Sequence, residues 1–119
     1  MYIKQQTNIL QQNLYQLKEK FEHTNPPKDR KDRALFLKVK EETTPIYQLL
    51  ERWETEALQL VQKRKVNVHP HQIVSTRENM ELLLLHSYYI DVKKKRYIEL
   101  YKSIQYIFDQ LMRELDTLL

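Results

Sequence analysis

Two residue types are missing from this 119-residue chain, which contains no glycine and no cysteine. Without glycine it cannot form a P-loop, a dinucleotide-binding fingerprint or another glycine-rich phosphate site. Tight β-hairpin turns also favour glycine, so the composition argues against an all-β fold. Without cysteine the chain has no disulfide, no thiol nucleophile and no cysteine-based zinc site.

Long apolar segments are missing as well. The longest strongly apolar run is Leu82–Leu85, far below the roughly 20 residues that span a bilayer. Residues 1–17 are rich in glutamine and lack the apolar core of a secretion signal. We therefore expect a soluble, cytoplasmic protein without a membrane partner. Its 20 Lys and Arg against 16 Asp and Glu give a net charge of +4, which permits an acidic partner without requiring one.

What the chain does contain is helical periodicity, in four segments. The first segment ends near His23, because Pro26 and Pro27 cannot continue a helix. The last carries a heptad seam, which is typical of left-handed bundle packing. The seam consists of Tyr97, Tyr101, Ile104, Phe108, Leu111, Leu115 and Leu118. The pattern predicts one all-α domain over residues 1–119, an antiparallel four-helix bundle with a long first connection.

Proline and capping residues predict where the two middle helices begin. Thr44 is a good N-cap and Pro45 is tolerated at a first helical position, so the second helix should begin there. It should end around Lys63–Lys65, whose cations complement the carbonyl end of the helix dipole. Pro70 is the predicted start of the third helix. Residues 24–43 contain both helical and alternating apolar patterns, which leaves a short helix and an extended strap as alternatives.

Several short segments between residues 46 and 110 resemble those of a known family, the YppE-like proteins of bacteria. The segments are Arg52-Trp53, Glu56-Ala57-Leu58, Val68-His69, Gln72-Ile73, Glu81-Leu82, Ser87-Tyr88 and the stretch from Lys94-Lys95-Arg96-Tyr97 to Tyr106. The resemblance implies a compact helical bundle. None of these segments is a catalytic motif, and the resemblance implies no activity and transfers no functional residue.

Histidines are the first candidates for a functional site. His69 and His71 form a His-x-His pair, which can bind a metal ion. The spacing alone is a weak signal, and the chain has neither the Glu-x-x-His pattern of di-iron bundles nor the His-Glu-x-x-His pattern of zinc proteases. His86 lies beside the leucine run and is predicted to be a partly buried structural residue. We expect no metal and no cofactor.

Catalytic side chains are present only in unsuitable positions. Ser75, Ser87 and Ser103 fall within predicted helices, whereas a serine nucleophile needs a strained turn and an oxyanion hole. The carboxylates of Glu51 and Glu54 are one turn apart on a solvated helix face, as are those of a second pair, Glu78 and Glu81. Glycosidase chemistry instead needs two carboxylates across a cleft. We therefore expect a protein that is not an enzyme.

Basic residues cluster at the predicted connections. In an up-down-up-down bundle the first and third connections share one end, so their cations would form one patch able to neutralise phosphates. The patch would contain Lys28, Arg30, Lys31, Arg33, Lys93, Lys94, Lys95 and Arg96. Lysines near helix ends also serve as ordinary capping and solubility groups. Binding of a nucleic acid or another polyanion is therefore the alternative function.

Aromatic and leucine residues outside the main apolar stripes favour a protein partner. Eight tyrosines are many for this length, and tyrosine is enriched at interfaces. Tyr47, Leu58 and Tyr89 fall on the outer faces of the second and third helices. The leading hypothesis is a protein-binding or adaptor module that uses this surface, with an unidentified protein or a second copy of the chain as its partner.

Overall fold

The computed structural model describes residues 2–118, which fold into four α-helices. They are α1 (Tyr2–His23), α2 (Arg33–Gln62), α3 (Pro70–Tyr89) and α4 (Lys94–Asp116). Consecutive helices pack against each other, and α1 and α3 also pack together across the centre. The predicted all-α, antiparallel four-helix bundle is confirmed. No helix within the described residues has the length and hydropathy needed to cross a membrane.

The core forms where the predicted apolar stripes of the helices meet. The stripe of α1 is buried from Ile3 to Phe21, and the helix ends at His23 as predicted. Most of the α4 seam is buried, while Tyr101 is half-buried. Leu118 follows the end of α4 and is exposed. The heptad pattern therefore identified the inner face of α4 but extended one position beyond the helix.

The predicted start of α2 at Thr44–Pro45 is wrong. The helix begins at Arg33 and contains Pro45 in its interior, so the first connection spans only residues 24–32. Asp32 is the N-cap, and its Oδ1 accepts a hydrogen bond from the Ala34 N–H at 3.0 Å. Val39 is buried and holds this part of the helix on the protein. Cap and burial outweigh the local cost of proline, so residues 33–43, here called the α2 arm, are helical.

Without glycine, other residues close the helices in the left-handed conformation. Arg64 has a φ of 58° and follows the end of α2. The Lys65 N–H donates to Leu60 O at 2.9 Å and the Arg64 N–H donates to Val61 O at 3.0 Å, which is a Schellman motif. Ile90 ends α3 with a φ of 49°. A left-handed conformation is costly for both side chains, and most costly for a β-branched one.

Two buried hydrogen bonds connect helices inside the core. The Trp53 Nε1–H donates to Thr7 Oγ1 at 3.0 Å, which joins α2 to α1. The Tyr97 hydroxyl and Ser87 Oγ lie 2.6 Å apart, which joins α4 to α3. Aromatic rings add further links, since Phe21 stacks on Tyr97 with their centroids 3.8 Å apart. These bonds satisfy polar groups that would be costly to bury alone.

Candidate functional site

The α2 arm extends past the end of α3 and places part of its surface beyond that helix. Arg77 Nε lies 2.6 Å from Glu54 Oε2, which fixes how α3 aligns with α2. At the other end of α3 the pKa of Tyr88 is raised, chiefly by burial and further by the nearby Glu42 carboxylate. Glu42 is therefore level with the last turn of α3. From Glu42 back to Arg33, α2 continues for about 14 Å beyond this level, at 1.5 Å per residue.

One face of the arm combines apolar and basic side chains. Arg33, Phe36, Leu37 and Lys40 are spaced i, i+3, i+4 and i+7, so they share a face of the helix. All four are exposed, Phe36 to 54% and Leu37 to 49%. Large apolar side chains exposed together on a helix commonly mark a binding surface. Sequence reasoning missed Phe36 and Leu37, because the arm could not be assigned as helix or strand.

This face continues along α2 onto the outer side of α3. Tyr47 lies two turns beyond Lys40, and its pKa is raised by burial and by Glu81 of α3. Leu85 and Tyr89 follow Glu81 at spacings of four, which places them on the same face of α3. Leu85 is exposed and Tyr89 is half-buried. We call this surface the apolar face; it comprises Phe36, Leu37, Tyr47, Leu82, Leu85 and Tyr89.

The predicted partner residues contribute unequally to the apolar face. Tyr47 and Leu58 are both half-buried and pack against the core, so they have little free surface to offer. Tyr89 is half-buried at the last position of α3. The four consecutive leucines divide evenly, because Leu83 and Leu84 are buried whereas Leu82 and Leu85 are exposed. Most of the exposed apolar area therefore belongs to residues that the sequence pattern did not single out.

The eight predicted polyanion-binding residues all lie at one end of the bundle and are all exposed. Within residues 2–118, Lys94 is the one of the eight with a carboxylate inside 4 Å, that of Glu22 at 3.5 Å. The two nearby carboxylates accept hydrogen bonds from backbone N–H groups. Asp29 Oδ1 accepts from the Lys31 N–H at 2.9 Å, and Asp32 caps α2. The cations are spread along the long axis of the bundle, because Arg33 is the first residue of the α2 arm. Lys93 is the N-cap of α4, and Lys94–Arg96 form its first turn.

The histidine pair has a structural role at the start of α3. His69 is the N-cap, and its Nδ1 accepts a hydrogen bond from the His71 N–H at 3.0 Å. The His69 N–H in turn donates to Gln72 Oε1 at 2.9 Å, which completes a capping box. His86 Nδ1 lies 2.7 Å from Asp91 Oδ1. No group of three or more His, Asp or Glu side chains within residues 2–118 is arranged to hold a metal ion.

Three of the carboxylates and serines named from the sequence, Glu54, Glu81 and Ser87, take part in structural contacts. Glu54 and Glu81 both bind the guanidinium of Arg77, which bridges α2 and α3. These bonds raise the pKa of Arg77, with the Glu54 hydrogen bond as the largest cause. Ser87 is fully buried, where its hydroxyl donates to Leu83 O at 2.7 Å. The geometry thus assigns these side chains to packing and pairing between helices.

Comparison with known proteins identifies the family. A crystal structure of the protein yppE from Bacillus subtilis superposes with a TM-score of 0.79, covering 98% of this chain and 94% of that one at 22% identity. The solution NMR structure of the same protein gives a TM-score of 0.77 with the same coverage and identity. Both similarities establish the fold. No curated protein matches the chain. Residues 7–115 match the bacterial domain of unknown function DUF1798, and the chain therefore belongs to this family, as its YppE-like segments indicated.

Proposed function

We propose that this protein is a non-enzymatic binding module that docks a partner protein on its apolar face. The observation that carries the proposal is the exposure of Phe36 and Leu37 together on the α2 arm. Side chains that are half-exposed here would be covered on binding. Covering each would contribute about 1 kcal/mol, roughly half the value for burying such a side chain completely. The exposed leucines of α3 extend the contact beyond the arm.

The charges beside the apolar face favour an acidic partner. Arg33 and Lys40 share the exposed stripe of Phe36 and Leu37, and Lys38 is also exposed on the arm. On α3, Glu81 is already paired with Arg77. The exposed acids near this face are Glu41, Glu42 and Glu78. Complementary charges speed association and orient a partner more than they increase affinity. The partner chemistry that fits is therefore an amphipathic segment with acidic residues flanking an apolar stripe.

A peptide titration tests this proposal directly. A synthetic helical peptide with leucines at heptad positions and flanking glutamates is added to isotopically labelled protein, with a scrambled peptide of equal composition beside it. We expect amide shift changes confined to residues 33–40 and 82–89, and binding that weakens with salt. The variant Phe36→Asp/Leu37→Asp should bind at least tenfold more weakly. The matched variant Tyr106→Asp, on exposed α4 surface, should bind normally.

Photo-crosslinking from the apolar face can identify the natural partner. A photo-crosslinking amino acid is placed at Phe36, and in a control at Gln59 on the exposed far part of α2. The proposal requires a product specific to position 36 that disappears when Leu85 is changed to Asp. Products of equal yield at both positions, or shift changes that map to another face, would refute the apolar face as the docking surface.

Polyanion binding is the second candidate, supported by seven exposed cations of the patch that have no carboxylate within 4 Å among residues 2–118. It predicts affinity for RNA or DNA that falls steeply with salt, because each neutralised phosphate releases counterions. The variant Lys95→Glu/Arg96→Glu should abolish such binding, while Lys63→Glu/Lys65→Glu at the opposite end should not. Loss in both variants would indicate a net-charge effect, and no binding at low salt would eliminate this candidate.

A further inference from the structure

The outer face of α1 differs from the rest of the surface because residues 5–17 of this helix carry no charge. Charged residues make up 30% of the chain, yet none occurs between Lys4 and Lys18. The exposed positions in this interval are Gln5, Asn8, Ile9, Gln12, Tyr15 and Gln16. Interfaces between proteins are depleted in charge at their centres and enriched in tyrosine. The composition of this face is that of an interface centre.

The exposed residues of α1 also follow the spacing of a packing seam. Tyr2, Gln5, Ile9, Gln12 and Gln16 are separated by 3, 4, 3 and 4 residues, on the side opposite the buried stripe. This is the heptad spacing with which one helix packs along another. Ile9 is 47% exposed at the centre of the seam. Since α2, α3 and α4 already cover the inner side of α1, this second seam has no partner within residues 2–118.

Some of the charged residues that border this face are held in contacts between α1 and α4. Lys4 Nζ lies 2.6 Å from Asp116 Oδ1 on α4. Asp109 Oδ1 accepts a hydrogen bond from Gln11 Nε2 at 3.0 Å. A depression of about 360 Å³ beside Asn8 and Tyr15 is lined entirely by uncharged side chains. The middle of the face, around Asn8 and Tyr15, therefore presents no charged side chain of its own.

We infer that this face, the α1 seam, binds the α1 seam of a second copy of the chain. In a two-fold symmetric dimer each patch meets its own copy, so a surface with one dominant charge would repel itself. Glutamine and asparagine amides both donate and accept hydrogen bonds, which makes them self-complementary. The outer surfaces of α2 and α4 instead carry exposed charges of both signs, among them Lys38, Glu51, Lys102 and Asp109.

The size of the seam determines how strong this dimer should be. The distance from Tyr2 to Gln16 is about 21 Å at 1.5 Å per residue. A single helix face of this length covers less than the ~800 Å² per partner of a stable complex. We therefore expect a reversible dimer that forms with rising concentration. This inference is independent of the proposed docking of a partner on the apolar face, which lies on other helices.

Sedimentation equilibrium between 10 µM and 1 mM tests the inference. The average mass of the protein should rise from 14.7 kDa toward twice that value. The variants Gln5→Lys/Gln12→Lys and Gln5→Glu/Gln12→Glu should each remain monomeric, because like charges would face each other. Lys, Glu and Gln have similar helix propensities, so both variants should fold. The control Gln48→Lys/Gln105→Lys, at exposed positions of α2 and α4, should dimerise as the unchanged protein does.

Mixing the two charged variants gives the decisive result. If the α1 seams face each other, an equimolar mixture should form a dimer again, because opposite charges then meet. A protein that stays monomeric to 1 mM would overturn the inference. So would a dimer that persists in both charged variants, since its interface would lie elsewhere. Failure of the mixture to associate, when each variant is folded and the unchanged protein dimerises, would show that α1 contacts a different surface of the second copy.

Discussion

The Tyr97 hydroxyl and Ser87 Oγ lie 2.6 Å apart in the core, on two different helices. Ser87 has one hydroxyl proton, and it is donated to Leu83 O at 2.7 Å. In this arrangement the Tyr97 hydroxyl donates to Ser87 Oγ, which both groups can satisfy while Tyr97 is protonated. Burial raises the pKa of Tyr97 to about 12. The native state thus holds this proton at a pH where an unfolded chain would release it.

Stability should fall at alkaline pH through Tyr97. An unfolded tyrosine titrates near pH 10, so between pH 10 and 12 the unfolded chain binds fewer protons than the native protein. The free energy of unfolding should lose about 1.3 kcal/mol between pH 9 and 11 through this residue. Urea melts of the unchanged protein and of Tyr97→Phe measure this loss. The difference in unfolding free energy between the two proteins should become smaller as the pH rises. Tyr106→Phe, at an exposed position, should leave the pH dependence unchanged.

Thr7 should matter to stability because of its bond to Trp53. Thr7 and Trp53 are both fully buried, and Thr7 Oγ1 accepts from the indole N–H while donating to Ile3 O at 2.7 Å. Thr7→Val keeps the shape of the side chain but leaves the indole N–H unpaired, which should cost about 1–3 kcal/mol of unfolding free energy. Thr7→Ser should cost less, because the hydroxyl remains. Thr55→Val, on an exposed part of α2, serves as the control; an equal loss there would contradict the explanation.

The helices whose ends depend on local signals could be predicted from the sequence. Pro26 and Pro27 stop α1, and Pro70 occupies the first position of α3 behind its His69 cap. The start of α2 could not be predicted in this way, because Thr44–Pro45 has the residues that commonly begin a helix. That local pattern is outweighed by the burial of Val39 and by the Asp32 cap. Local capping rules do not include the burial of Val39, because that burial arises from tertiary packing.

The candidate sites could be predicted only in part for the same reason. Antiparallel topology was enough to bring Lys28–Arg33 and Lys93–Arg96 to one end. It could not reveal that Glu22 pairs with Lys94, because that contact depends on the register between α1 and α4. Phe36 and Leu37 became candidates only once the arm was known to be helical. Exposure is a property of packing, and periodicity alone could not separate Leu58, which packs on the core, from Leu85, which does not.

Arg64→Gly should stabilise the protein. Arg64 is exposed and takes the left-handed position of the Schellman motif after α2. Glycine adopts this conformation freely, whereas other residues are strained by roughly 1–2 kcal/mol. Glycine also makes the unfolded chain more flexible, so the net gain should be about 0.5–1 kcal/mol in unfolding free energy. Lys63→Gly, one residue earlier with a φ of −80°, should instead destabilise; stabilisation by both changes would exclude backbone strain as the cause.

Two prolines in the described structure should respond oppositely to replacement by alanine. Pro45 lies inside α2, where it cannot donate to the Glu41 carbonyl, while Pro70 lies at the first position of α3. Proline is unfavourable by roughly 3 kcal/mol in a helix interior but is preorganised for a first position. After the added entropy of the unfolded chain, Pro45→Ala should raise the unfolding free energy by about 1–2 kcal/mol, and Pro70→Ala should lower it by about 0.4–1 kcal/mol.

The same replacement shows whether Pro45 weakens the α2 arm. In the unchanged protein, amides of residues 36–43 should exchange with solvent faster than those of residues 50–60, because the arm lacks one hydrogen bond and extends past α3. Pro45→Ala should slow amide exchange in the arm. Amides of residues 50–60 should still exchange through global unfolding. Equal protection of both segments before the change, or no slowing in the arm after it, would mean that the contacts around buried Val39 already hold the arm as firmly as the rest of the bundle.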